Sequence, residues 1–147
     1  PDRFGFKGRI GRGATDPFNV SLNFGYKAYL SRSCWKEAVR AGLDPYVGFL
    51  HGERPGKPSL ILDMMEEFRP LIDRVCLCLF TKNRLPKRIT NSSGRLTKTA
   101  YARLLSTLHK RLQTSFNLDE QICRQVSLLR DLLLGRSTEY APYKMVW

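Results

Sequence analysis

No Cys-x-x-Cys pair occurs in this 147-residue chain, and its four cysteines (Cys34, Cys76, Cys78 and Cys123) stand apart from both histidines. That spacing excludes the usual zinc ribbons and fingers. Each cysteine has apolar or helical neighbours, which reads as a buried thiol. Long apolar runs are lacking too: the best candidate, residues 75–80, is far too short to span a bilayer. The chain opens Pro-Asp-Arg-Phe-Gly with no apolar stretch behind it, so no signal peptide is expected, and the expected location is cytoplasmic. Acidic residues are the most telling shortage. Residues 81–111 contain no Asp or Glu, yet they carry Lys82, Arg84, Lys87, Arg88, Arg95, Lys98, Arg103, Lys110 and Arg111.

Over the whole chain, 25 Lys and Arg face 13 Asp and Glu, for a net charge of +12. A bias of this size implies a polyanionic partner, because each neutralised phosphate releases condensed counterions. Nucleic acid is the first choice and an anionic membrane the second. The alternative is a basic surface that is simply solvated. The apolar fraction of 42% and the length together fit one domain, residues 1–147, with a true hydrophobic core.

Glycine and arginine dominate residues 1–15, an irregular lead-in. Asp16-Pro17 is a helix start, with Asp as cap and Pro at the first helical position. Phe18, Leu22, Tyr26, Tyr29, Leu30, Trp35 and Val39 follow at helical spacing, and Gly42 is a C-terminal stop. Residues 43–58 hold too many Gly and Pro for a long element. A second helix begins near Ser59, with Leu60, Met64, Phe68, Leu71, Val75 and Leu79 as its stripe and Pro70 as a kink. Residues 82–94 form a basic linker with little to hold it still. A third helix fits residues 96–112 (Tyr101, Leu104, Leu105, Leu108, Leu112). A fourth fits residues 118–134 (Leu118, Ile122, Val126, Leu129, Leu133), ended by Gly135. The aromatic tail, residues 140–147, is expected to pack back irregularly. The predicted class is all-α, with about four main helices and irregular loops.

Chemistry concentrates in Gly48-Phe-Leu-His51-Gly52 and the helix carrying Asp63, Glu66 and Glu67. Carboxylates three and four apart share a helical face, here expected to lie away from the Leu60/Met64/Phe68 stripe. With a histidine they can bind a divalent cation; carboxylate oxygens favour Mg²⁺ or Mn²⁺, and an imidazole tilts the choice towards Mn²⁺. The other reading is a solvated helix face, with Asp63 and Glu67 paired to Lys57, Arg69 or Arg74, and His51 a structural histidine. His109 reads as a surface residue. Asn19 and Asn23, one turn apart, suit a polar site or, preferably, interhelical hydrogen bonds.

At these residues the sequence resembles the Cas-one family of CRISPR-associated, spacer-acquiring integrases. The matching blocks are Asp16-Pro-Phe-Asn19-Val-Ser-Leu-Asn23-Phe-Gly25-Tyr26, Ala41-Gly-Leu-Asp-Pro-Tyr-Val-Gly-Phe-Leu-His51-Gly and Pro58-Ser-Leu-Ile-Leu-Asp63-Met-Met-Glu66-Glu-Phe-Arg-Pro70. Leu133-Leu-Gly-Arg and Tyr140-Ala-Pro-Tyr143 continue them in the same order. The resemblance implies the C-terminal catalytic helical lobe of a metal-dependent DNA integrase and endonuclease. It implies metal ligands at His51 and Glu66 and a neighbouring active-site carboxylate at Asp63. It also implies Mg²⁺ or Mn²⁺ as cofactor; in such an enzyme Lys82, Arg84, Lys87, Arg88, Arg95 and Lys98 of the acid-free stretch would hold phosphates. Its implied partners are double-stranded DNA (a prespacer and a CRISPR repeat), a second copy in a homodimer, and the Cas-two protein, with no membrane. The family's first Glu ligand and its N-terminal β-domain precede the region that resembles residues 6–9 here. The expectation is therefore a piece of the catalytic domain that lacks one ligand, for which neither Glu37 nor Glu53 is an evident substitute. A catalytically incomplete DNA-binding or assembly module is the competing expectation.

Overall fold

The first helical rod carries Phe18, Leu22, Tyr26, Leu30, Cys34 and Ala38 at a strict spacing of four. In an ideal α-helix such a row drifts by about 40° per step, so one straight helix cannot keep all six inside. The computed structural model, which describes residues 5–52 and 55–145, shows how the chain solves this. Helix α1 (Pro17–Phe24) passes through a π-helical segment (Gly25–Leu30) into α2 (Ser31–Arg40) without a break. The Ser31 N–H reaches back five residues to the Tyr26 carbonyl, and this wider turn absorbs much of the drift. All six side chains are buried. Val39, expected inside, is 53% exposed because it falls outside this six-residue row.

Three further helices complete the fold: α3 (Ser59–Thr81), α4 (Lys98–Phe116) and α5 (Leu118–Leu133). Among the described residues there is no strand, only an isolated bridge between Thr90 and Leu96. The all-α class and the four-rod plan agree with the sequence. Helix α3 packs against the first rod and α4, while α5 packs on α2 and α4. The six-residue stripe of α3 is buried throughout, and Pro70 sits inside the helix without ending it.

The start of the first helix follows the sequence closely. The Asp16 carboxylate accepts the Asn19 N–H at 2.9 Å with Pro17 behind it. At the other end Gly42 adopts φ +77°, and the Leu43 N–H bonds the Ala38 carbonyl. This is a left-handed C-terminal cap, which a side chain at that position would strain. Helix α4 begins two residues later than expected. Leu96 is taken by the bridge to Thr90, and the Thr97 hydroxyl caps Ala100. It also runs on to Phe116, until Asn117 turns left-handed at φ 47°. In α5, Leu118, Ile122, Val126 and Leu129 are buried, but Leu133 is 66% exposed at the frayed end. The basic linker is pinned rather than loose: Asn91 accepts the Ser93 and Arg95 N–H groups, and Thr97 N–H bonds the Ile89 carbonyl.

Asn19 and Asn23 bind the lead-in segment and not another helix. The Asn19 amide takes Ile10 N–H and Arg9 and donates to the Gly8 carbonyl, while Asn23 donates to the Gly11 carbonyl. Two of the cysteines, Cys34 and Cys76, are buried as expected; Cys78 is half-buried and Cys123 is exposed. Burial pushes the Cys76 thiol up to about 12, so it stays an inert, protonated core group.

Gly25 fixes the distance between the first rod and α3. A Cβ there would lie 2.5 Å from Ile72 Cγ2, and Ile72 is fully buried. Gly25→Ala is therefore expected to destabilise the fold by about 1–3 kcal/mol, although alanine is the better helix former. Urea unfolding checks this. An unchanged or raised midpoint would mean that the α1–α3 contact is loose.

Candidate metal centre

The loop leaving α2 is anchored before it reaches His51. Asp44 accepts the Tyr46 N–H at 2.9 Å, Trp35 and Tyr46 meet edge to face, and the Pro45 carbonyl takes the Leu60 N–H at the start of α3. The loop tip then lies along the first turns of α3. Asp63 is 3% exposed, and four N–H groups converge on it. Its Oδ2 accepts from Phe49 N (2.7 Å) and Leu50 N (2.9 Å), its Oδ1 from His51 N (3.0 Å) and His51 Nδ1 (2.5 Å). Burial alone would raise the Asp63 carboxyl. The Leu50 N–H, the His51 ring and the N–H groups of Phe49 and His51 outweigh it and hold the group below its ordinary value of 3.8.

Two chemical consequences follow. An ionised carboxylate has about four lone-pair sites, and all four of Asp63 are engaged. Asp63 therefore orients His51 instead of presenting an oxygen to a cation. Because the carboxylate can only accept, the neutral imidazole carries its proton on Nδ1 and keeps the Nε2 lone pair free. An oriented histidine with a carboxylate behind it is the arrangement metal-ligating histidines use. The His51 side chain is 32% exposed, so a ligand in solution has access to it.

Asp63, Glu66 and Glu67 do not form the solvated helix face of the other reading. Glu66 is the exposed one, at 40%, and it pairs with Arg69 at 3.1 Å. Glu67 is half-buried and clamps the C-terminal tail: it accepts the Tyr140 hydroxyl, and the Tyr143 N–H at 2.8 Å. Phe68 stacks on Tyr143 with centroids 5.1 Å apart. The expected partners Lys57, Arg69 and Arg74 for Asp63 and Glu67 are replaced by backbone N–H groups, a ring nitrogen and a hydroxyl. The described part of the aromatic tail packs back as expected from sequence, but its hold on Glu67 was not foreseen. His109 is on the surface, against the Tyr29 hydroxyl at 3.1 Å. Glu37 lies on α2, bonded to Arg40 and Lys36, and Glu53 lies outside the described residues.

Gly48 is the keystone of this packing. A Cβ on it would stand 2.6 Å from Asp63 Oδ2 and 2.7 Å from the Ser59 backbone. The donors at hand suit a divalent cation in kind, an imidazole and an exposed carboxylate. Among the described residues no group of three His, Cys, Asp or Glu side chains is placed to hold a metal ion. Lys82, Arg84, Lys87, Arg88, Arg95 and Lys98 are all exposed.

A family model described as CRISPR associated protein Cas1 matches residues 1–110. The chain belongs to the Cas1 family. A "CRISPR-associated endonuclease Cas1 1" from Pyrobaculum aerophilum is 37% identical over 90% of this chain and 40% of its own length. A "CRISPR-associated endonuclease Cas1 3" from Thermus thermophilus is 36% identical over 97% of this chain and 47% of its own. The chain thus spans less than half the length of these relatives. Among solved structures, a casposase bound to integration product superposes with a TM-score of 0.86, at 25% identity, over 99% of this chain and 48% of that one. A Cas1 protein from Thermotoga maritima superposes at 0.82 over 93% of this chain and 47% of its own, and at 23% identity it shows the shared fold. No helix among the described residues of this Cas1-family chain is long and apolar enough to cross a membrane.

Proposed function

We propose that this chain contributes the histidine half of a divalent-metal centre in a DNA integrase or endonuclease that inserts spacer DNA into a CRISPR array. The observation that carries the reading is the Asp63–His51 hydrogen bond, which leaves Nε2 of a half-exposed imidazole free. His51 and Glu66 would hold Mg²⁺ or Mn²⁺, and Arg69 would release Glu66 as the cation binds. Such a cation supplies a Lewis acid that stabilises charge on the attacking or leaving oxygen of a phosphodiester. Asp63 fixes the ring tautomer and the loop that carries it. The exposed Lys82, Arg84, Lys87, Arg88, Arg95 and Lys98 would hold phosphates without reading sequence. The family resemblance, together with the similarity to a casposase bound to integration product, supports double-stranded DNA as partner. The resemblance alone supports a homodimer and the Cas-two protein.

The test is joining of a labelled short duplex into a repeat-bearing plasmid in Mn²⁺, together with calorimetric Mn²⁺ titration. His51→Ala and Glu66→Ala are each expected to lower joining by about a hundredfold or more and to weaken Mn²⁺ uptake. Full joining rates in both variants would refute the assignment. The Glu66–Arg69 pair and the absence of a three-donor group among the described residues favour a second reading, a DNA-binding or assembly module without chemistry. Salt-sensitive duplex binding without any Mn²⁺ uptake would support that one.

A further inference from the structure

Helix α4 carries Lys98, Arg103, Lys110 and Arg111 and not one carboxylate. Two open grooves meet along it. One, about 540 Å³, is lined by Arg84, Arg103, Lys110 and Arg111 with the hydroxyls of Ser106 and Thr107. The other, about 900 Å³, runs between α3, the α4–α5 corner and the tail, where Arg74, Lys82 and Lys144 join Arg111. Arg111, Thr114 and Ser115 line both, so the two form one continuous track. Among the described residues no Asp or Glu lines either groove.

Among the described residues, ion pairs join Lys36, Arg40, His51, Arg69 and Arg130 to carboxylates, and none of these involves Lys82, Arg84, Arg103, Lys110, Arg111 or Lys144. A row of cations that the protein's own acids leave alone is held at a cost in self-repulsion, which an extended polyanion relieves. The track is also distant from the His51 loop: Asp63 and Cys78, both on α3, are about 22 Å apart along the axis.

We propose that this track is a second nucleic-acid surface, which grips the sugar-phosphate backbone of DNA away from the metal centre. It deepens the DNA-binding part of the function proposed above without depending on the His51 chemistry. It also redraws the basic set expected from sequence. Lys82 and Arg84 belong to the track, whereas Lys87 lines a different, largely apolar hollow with Pro17, Leu79 and Phe80. Arg103, Lys110 and Arg111 enter as the principal contacts. The neighbouring hydroxyls suit phosphate oxygens. Of the two aromatic rings that line it, Phe116 is covered by the Arg74 guanidinium at 5.7 Å and Tyr143 is stacked on Phe68, so the track grips backbone and does not stack bases.

The experiment compares the 147-residue chain with its Arg103→Ala/Lys110→Ala/Arg111→Ala variant by fluorescence anisotropy. The probes are a mixed-sequence 20-nucleotide single strand and the matching duplex, in EDTA and at several salt concentrations. The variant is expected to bind about tenfold or more weakly near 0.1 M salt. Its log K against log salt slope should be shallower by roughly three on duplex and two on single strand. A Lys87→Ala/Arg88→Ala variant should lose less, and circular dichroism and melting should be unchanged because the substituted side chains project into open grooves. Unchanged affinity and slope in the triple variant overturn the track while leaving DNA binding through other residues intact. A parent chain that fails to bind either probe overturns both. Loss of binding to phosphatidylserine vesicles with DNA binding intact would also overturn the proposal, in favour of a membrane surface.

Discussion

Asp63→Asn is expected to cost about 2–4 kcal/mol of folding stability and to release the His51 loop. The carboxylate is buried and takes four N–H groups. A carboxamide of the same shape offers one oxygen to two of them and turns its own NH₂ against the other two. Hydrogen bonds to a charged acceptor are worth more than neutral ones, and donors left unmatched in a buried position carry the full desolvation penalty. Urea denaturation measures the loss, and a change under about 0.5 kcal/mol would mean that the loop is held by other contacts.

The same contacts set a pH dependence. Asp63 titrates below its unfolded value of 3.8 because the four N–H groups outweigh its burial. Its stabilising contribution is complete above that value and is lost as the pH falls through the lower, folded one. Wild type should therefore lose stability more steeply than Asp63→Asn in the acid limb of a stability–pH curve, and the two curves should run parallel near neutrality. Parallel curves down to the lowest pH would show that folding leaves the acidity of the Asp63 carboxyl unchanged.

Helix positions in this chain follow from local chemistry, which is why the sequence exposes them. A capping Asp before Pro17, a glycine at 42 and an unbroken stripe on α3 each act within a turn or two of their own residues. The π segment was not foreseen although its trace, six apolar residues at a strict spacing of four, is in the sequence; the close approach of Gly25 to Ile72, 47 residues away in the chain, is not legible there. Spacing also placed the acidic residues on one helix correctly but misjudged their company. Periodicity reports which face a residue occupies, not what the rest of the chain brings to that face. A loop covers Asp63, the tail covers Glu67, and Glu66 alone stays open to solvent. The basic residues show the same division. Their excess is plain from composition, but which of them form one track depends on where α4 sits beside the end of α3 and the tail.

Gly48→Ala is expected to have the largest effect on the proposed metal centre with no change of any polar group. The added methyl would meet Asp63 Oδ2 at 2.6 Å and the carbonyl carbon of Ser59 at 2.7 Å. Ser59 is fully buried in the first turn of α3, so that backbone cannot retreat cheaply. The loop must shift instead, and the next three residues are the ones whose N–H groups hold Asp63. Outer contacts of this kind are typically worth ten- to a hundredfold in metal affinity, and overpacking should cost about 1–3 kcal/mol of stability. Nitrogen-15 NMR of the His51 ring reads the cause directly, since the Nδ1–H tautomer should give way to a mixture. Gly52→Ala is the matched control: a Cβ there meets nothing within 4 Å, so it should leave tautomer and stability unchanged. If Gly48→Ala retained both the Nδ1–H tautomer and wild-type Mn²⁺ uptake, the close approach of the loop to α3 would not be what readies His51 for a metal.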